Sequence, residues 1–185
     1  MNTATQLYGA VEAGGTKFIC AVGDRDGRIV DQTRIETRDP STTLSDVCRY
    51  FGAAARQFGQ LRALGIGAFG PLDLNPASPT FGFITSTPKP GWQNIDLAGV
   101  LRGAFGWPVF LDTDVNGAAL GELRWGAGQG LESVAYVTVG TGIGVGVLHH
   151  GRPVHGLMHP ELGHIFVRRH PADANFAGIC PFHGD

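Results

Sequence analysis

Residues 7–23, LYGAVEAGGTKFICAVG, decide the fold class. Two short apolar runs, Leu7 to Ala13 and Lys17 to Val22, are joined by Gly14 and Gly15, the pattern of a β-hairpin. An Asp-Gly turn at 26 and 27 leads into Arg28 to Glu36, which alternates loosely and reads as a third adjacent strand. Ser41 or Thr42 can then cap a helix reaching about Phe58, because Leu44, Val47, Cys48 and Phe51 recur at helical spacing. Leu64 to Phe69 reads as a buried strand ended by Gly70 and Pro71. Asp96 to Phe105 reads as a short helix, Val109 to Asp112 as a strand, and Asp114 as the start of a helix with Ala118, Ala119 and Leu123 on one face. The order β-β-β-α-β-α-β-α predicts an α/β architecture. The intervening stretch 73–92 is a long loop rich in Pro, Ser, Thr and Gly, with one short strand around Phe81 to Thr85; such loops are often functional.

Composition excludes several broad classes. A chain of 185 residues that is 43% hydrophobic and 16% charged can bury a real core, and its net charge of −2 argues against nucleic-acid binding through bulk positive charge. No signal peptide or membrane span is expected. The longest uncharged stretch, Ser133 to Gly151, contains five Gly and two Thr and would make a poor helix in lipid. Cys20, Cys48 and Cys180 are odd in number and far apart, which is not a disulfide framework, and a cytoplasmic location is expected. The GAGQG stretch at 126–130 is the expected boundary between a domain at 1–125 and a second unit at 126–185.

Three constellations carry candidate chemistry. The first is a pair of glycine turns, EAGGTK at 12–17 and GTGIG at 140–144, each following a strand and each offering backbone N–H groups and a threonine hydroxyl to phosphate oxygens. Neither has the spacing of a P-loop or a dinucleotide fingerprint; they look instead like two hairpins gripping one polyphosphate. Lys17 is one of only two lysines in the chain and suits such a turn. Gly140, Gly142, Gly144 and Gly146 alternate, which would bare one strand face to a phosphate or to a packed helix. The second constellation is LDTDVNGAALGE, where Asp114 stands at a strand-to-helix junction whose dipole favours the ionised carboxylate; Asp112 reads as structural. The third is HPELGH at 159–164 followed by CPFH at 180–183. His164, Cys180 and His183 have zinc-like spacing, with His170 or a group beyond the end as the fourth ligand.

Taken together, EAGGTKFICAVG, GIGAFGPLD, TSTPKPGWQN, DTDVNGAALGE, VTVGTGIGVGV, MHPELGHIFVRRHP and CPFHGD resemble the ROK sugar kinases, and within them the bacterial fructokinase branch. The resemblance runs from about residue 8 to the end. It implies an actin-like ATPase (ribonuclease H-like) fold, with the first domain complete and the second incomplete, so that the chain is an N-terminal portion of a kinase. The implied reaction is ATP-dependent phosphorylation of a hexose, most readily fructose to fructose 6-phosphate, with Mg²⁺ accompanying the nucleotide. A glucokinase or mannokinase of the same family, and a non-catalytic sugar- or nucleotide-binding chain, are the alternatives, and homodimerisation is left open. ROK repressors carry a DNA-binding segment ahead of the first phosphate loop; only seven residues precede Tyr8, so a kinase is expected.

Position by position, the resemblance assigns Gly14, Gly15, Thr16 and Lys17 to the first phosphate loop and Gly140, Thr141 and Gly142 to the second. Asp114 matches the catalytic base, and Glu12 stands where many relatives have Asp, able to hold Mg²⁺ through water. Glu161 matches a sugar-hydroxyl ligand. His164 matches the zinc anchor beside the sugar pocket, with Cys180 and His183 as further Zn²⁺ ligands. Pro90, Gly91 and Trp92 are expected to border the sugar pocket, or else to form a turn packed on the domain. Thr113 replaces the Asn that many relatives place before the catalytic Asp, which favours a ketose or a relaxed hexose preference.

Overall fold

A computed structural model of the chain describes residues 6–140, 142–173 and 175–178. The opening hairpin forms as its pattern predicts: β1 (Leu7–Ala13) pairs antiparallel with β2 (Lys17–Asp24), and β2 with β3 (Ile29–Glu36). Two further strands, β4 (Leu64–Ala68) and β7 (Val109–Thr113), add in parallel to give a five-stranded sheet of order β3-β2-β1-β4-β7. Between them a two-residue pair, β5 (Phe83–Ile84) with β6 (Ile95–Asp96), braces the long loop.

Helix α1 (Pro40–Phe58) starts earlier than Ser41 or Thr42 would give. Pro40 fits the first helical turn because it lacks the N–H that would be unsatisfied there, and Asp39 is the cap, accepting from the Thr42 amide at 2.9 Å. Its Leu44, Val47, Phe51 and Ala54 meet Val11, Phe18, Cys20 and Val22 of the sheet, and α2 (Leu97–Phe105) adds Leu97 and Leu101 to the same core. Trp92 is fully buried there between Phe18 and Phe69, with its indole N–H donating to the Arg38 carbonyl at 2.8 Å. Pro90 and Gly91 are exposed.

Helix α3 (Asp114–Trp125) follows β7 directly and packs against both β4 and a second, three-stranded sheet. That sheet comprises β8 (Ser133–Val139), β9 (Ile143–His149) and β10 (Arg152–Pro153). The alternating glycines therefore divide. Gly140 and Gly142 flank the turn of the β8–β9 hairpin, and only Gly144 and Gly146 lie on a strand, because Val139 already pairs with Ile143. The bared face of β9 takes a helix: a Cβ at Gly146 would stand 2.2 Å from the Val115 carbonyl oxygen. Beyond β10 the described chain is irregular apart from two single 3₁₀ turns, Leu162–His164 and Pro171–Asp173. Among the described residues no helix is long and apolar enough to cross a membrane.

Candidate active site

The parallel strands β4 and β7 end side by side, with Ala68 opposite Thr113, and ligand crevices in open α/β sheets lie beyond such strand ends. A cleft of about 930 Å³ opens there, a size suited to a small-molecule site. Its walls are Phe69 to Pro71 after β4, Thr113 to Asn116 after β7, the hairpin with Gly140 and Gly142, and a segment carrying His159, Glu161 and His164. Ser86 and Pro88 complete it from the long loop, so that loop does reach the site, but through residues other than Pro90, Gly91 and Trp92.

Asp114 occupies the first helical position of α3 and lines both this cleft and a neighbouring one of about 710 Å³ that Glu12 also lines. Gly67 on β4 leaves room for it, since a Cβ there would come within 3.3 Å of the Asp114 Cα. The carboxylate accepts the Val115 amide at 2.8 Å, a bond that by itself favours the ionised form, as expected of the helix start. Burial outweighs that bond, and with the charges of Glu12 and Glu161 nearby it raises the Asp114 pKa above the ordinary carboxylate value. Thr113 rather than either aspartate caps α3, its hydroxyl accepting the Asn116 amide at 3.3 Å.

Asp112 has more partners than a plain structural residue. One oxygen accepts the Thr113 amide at 2.7 Å and the Asn116 side-chain amide at 2.8 Å, and the other lies 3.0 Å from His155 Nε2. Asn116 is buried, and its carbonyl accepts the Val147 amide at 3.2 Å, tying α3 to β9. His159 carries no spacing signal of its own, although it begins the HPELGH segment and all seven histidines fall in the last fifth of the chain. It is 4% exposed; its Nε2 accepts the Leu72 amide at 3.0 Å and its Nδ1 lies 3.3 Å from Glu161 Oε1. Burial pushes its pKa down. Glu161 itself sits in the left-handed region at φ 49, ψ 41.

The remaining expected residues are distributed as follows. Gly14, Gly15, Thr16 and Lys17 form the β1–β2 turn, closed by the Gly14 amide on the Lys17 carbonyl at 2.9 Å, and line neither cleft. His164 lines the main cleft, with Nε2 3.8 Å from Glu161 Oε2. Thr141, Cys180 and His183 lie outside the described residues. Among the described residues no group of three or more His, Cys, Asp or Glu side chains could hold a metal ion, so the described residues do not support the zinc expectation.

The model of the ROK family matches residues 8–184. The chain belongs to the ROK family. It is 48% identical over 185 residues to a fructokinase of Zymomonas mobilis subsp. mobilis, covering 100% of this chain and 62% of that protein. A protein named putative fructokinase from Bacillus subtilis is 49% identical over 179 residues, covering 97% and 58% respectively. The crystal structure of a ROK family glucokinase from Streptomyces griseus, in complex with glucose and AMPPNP, matches with a TM-score of 0.75 at 32% identity, covering 88% of this chain and 51% of that one. The ROK chain described here thus spans about three fifths of the length of the curated relatives it matches. Its fold is the actin-like ATPase fold of the ROK sugar kinases, shared here over part of their length.

Proposed function

We propose that this ROK protein is a carbohydrate kinase that transfers the γ-phosphoryl group of ATP to a hexose hydroxyl, with fructose the favoured acceptor and fructose 6-phosphate the product. The observation that carries the reading is Asp114, a part-buried carboxylate of raised proton affinity at the junction of two clefts. A group with those properties is a stronger base than an ordinary carboxylate while remaining a carboxylate. In this reading Asp114 takes the proton of the sugar hydroxyl as its oxygen bonds to phosphorus, and Glu161 accepts a hydrogen bond from another hydroxyl.

The glycines fit phosphate groups: a Cβ at Gly15, Gly140 or Gly142 would meet nothing within 4 Å, so each leaves open space over a backbone that a phosphate can approach. Thr16 and Lys17 belong to the first of these turns, Thr141 is assigned to phosphate from the sequence GTGIG alone, and Glu12 is assigned to Mg²⁺ through water. Bound ATP with Mg²⁺ supplies the phosphoryl group and neutralises charge on the departing ADP. Zn²⁺ at His164, Cys180 and His183 remains the finer part of the reading; no step depends on it, and metal analysis of the purified protein tests it. The division into units at 1–125 and 126–185 and a cytoplasmic location belong to the same proposal.

Fructose is preferred over glucose because the relatives at 48% and 49% identity are named fructokinase or putative fructokinase, against 32% for the glucokinase structure. The deciding experiment measures sugar-dependent ADP release by the encoded protein with fructose, glucose and mannose, beside Asp114→Asn. Turnover is expected to be highest with fructose and to fall by roughly 10²- to 10⁴-fold in the variant. Near-normal turnover by Asp114→Asn would remove the base assignment, and a preference for glucose would move the substrate.

A further inference from the structure

His159 is buried at the rim of the cleft and has no part in the proposed reaction. Its hydrogen bonds determine its form. The Leu72 amide can only donate, so Nε2, 3.0 Å away, is the acceptor and the ring proton sits on Nδ1, where it faces Glu161 Oε1 at 3.3 Å. Leu72 is 87 positions away in the chain and is itself buried in the core, so the imidazole is held from the rigid side. Gly70 makes the close approach possible, since a Cβ there would stand 3.3 Å from the His159 Cε1. Glu161, in contrast, has an unfavourable left-handed backbone and a side chain more than a third exposed. Within its own turn the carboxylate has His164, whose Nε2 stands 3.8 Å from Oε2, whereas His159 approaches Oε1 at 3.3 Å.

We propose that His159 is a positioning residue: it relays the rigidity of the 70–72 turn to Glu161 and aims that carboxylate at a hydroxyl of the bound sugar. The proposal rests on the reading of Glu161 as a sugar ligand. It differs from a packing role in what it requires of the two ring nitrogens, one accepting from Leu72 and one donating to Glu161.

Two isosteric substitutions separate those requirements in the encoded protein. In His159→Gln the side-chain oxygen reaches the place of Nε2 and keeps the Leu72 bond, but the donor at Nδ1 is lost. His159→Asn keeps a donor at the place of Nδ1 and loses the acceptor. Each is compared with Glu161→Gln and with the double variant His159→Gln/Glu161→Gln, reading KM for fructose, KM for ATP, kcat and Tm.

The expected result is a fructose KM raised about tenfold in His159→Gln, as loss of one charge-assisted hydrogen bond gives, with the KM for ATP unchanged. Adding Glu161→Gln to it should raise the KM no further than Glu161→Gln alone does. His159→Asn should keep the fructose KM within about twofold while lowering Tm, because the buried Leu72 amide loses its acceptor. A fructose KM unchanged in His159→Gln but raised in Glu161→Gln overturns the positioning role alone. An unchanged fructose KM in Glu161→Gln overturns the sugar-ligand reading and the positioning role with it. Equal rises in both KM values, additive effects in the double variant, or a raised fructose KM in His159→Asn would each reduce His159 to a packing residue.

Discussion

Gly146 offers the sharpest test of how the site is built. Its α-carbon faces the first turn of α3 so closely that a Cβ would lie 2.2 Å from the Val115 carbonyl oxygen, 2.4 Å from its carbon and 2.8 Å from the Asn116 nitrogen. All three are backbone atoms, so no side chain can swing aside. Gly146→Ala must open the oxygen contact from 2.2 Å to the 3.4 Å of ordinary contact, a displacement of about 1.2 Å between β9 and the helix that begins with Asp114. Overpacking of this kind costs about 1–3 kcal/mol, which for a chain of this size lowers Tm by roughly 2–12 °C. A displacement of about 1 Å at a catalytic group costs about 10²-fold in rate, so activity should fall more steeply than stability. Gly142→Ala is the control: its Cβ meets nothing within 4 Å, so Tm should hold while the KM for ATP rises. Thermal denaturation and sugar-dependent ADP release on the same preparations read both effects. A Gly146→Ala protein with wild-type Tm and turnover would refute the reasoning, since it would mean that β9 and α3 are not in fixed backbone contact.

Three further outcomes follow from named groups. Asp114 has a raised folded-state pKa, so folding favours its protonated form; its ionised form at neutral pH lowers stability, and Asp114→Asn should raise Tm at pH 7 while turnover falls, with the gain in Tm vanishing below the ordinary carboxylate pKa. Because the Glu12 charge contributes to that rise, Glu12→Gln should move the acid limb of the kcat/KM profile to lower pH; an unmoved or upward-shifted limb would separate the two carboxylates. Trp92→Phe removes the indole donor to the Arg38 carbonyl and leaves a void beside Phe18 and Phe69, so urea denaturation should register a loss of about 1–3 kcal/mol, with the fructose KM unchanged because Trp92 does not line the cleft.

What could be read from sequence was local. The hairpin 7–23 announces itself through two apolar runs around a Gly-Gly turn, and the α3 junction through a strand followed at once by a helix. Helix α1 starts a few residues before the position that Ser41 or Thr42 suggests, because Asp39 and Pro40 divide capping and initiation between them. The glycine period of two was visible, yet whether a phosphate or a helix would face it depends on α3, some thirty positions away, and the structure gives the helix to Gly144 and Gly146 and the open turn to Gly140 and Gly142. Trp92 in a Pro-Gly-Trp turn is equally consistent with pocket and core until the Arg38 carbonyl is found above it. His159 was illegible for the same reason: its partner Leu72 is 87 residues distant, and no spacing rule spans such a gap.

Two aspartates at helix starts bear on the role proposed for Asp114. Asp39, exposed and bonded to the Thr42 amide and the Ser41 hydroxyl, is held well below the usual carboxylate range, which is how a cap that serves stability behaves. Asp114 also accepts a helix amide, yet burial and two neighbouring carboxylates push it the other way. Capping does not require it, because Thr113 already caps α3. A sequence under selection for folding alone would gain by neutralising this position. The glycines at 67 and 146 leave room for the backbone on either side of it. That combination argues for chemistry at Asp114 and against a chain that only binds sugar, for which an Asn in the same place would hold a hydroxyl at less cost to the fold.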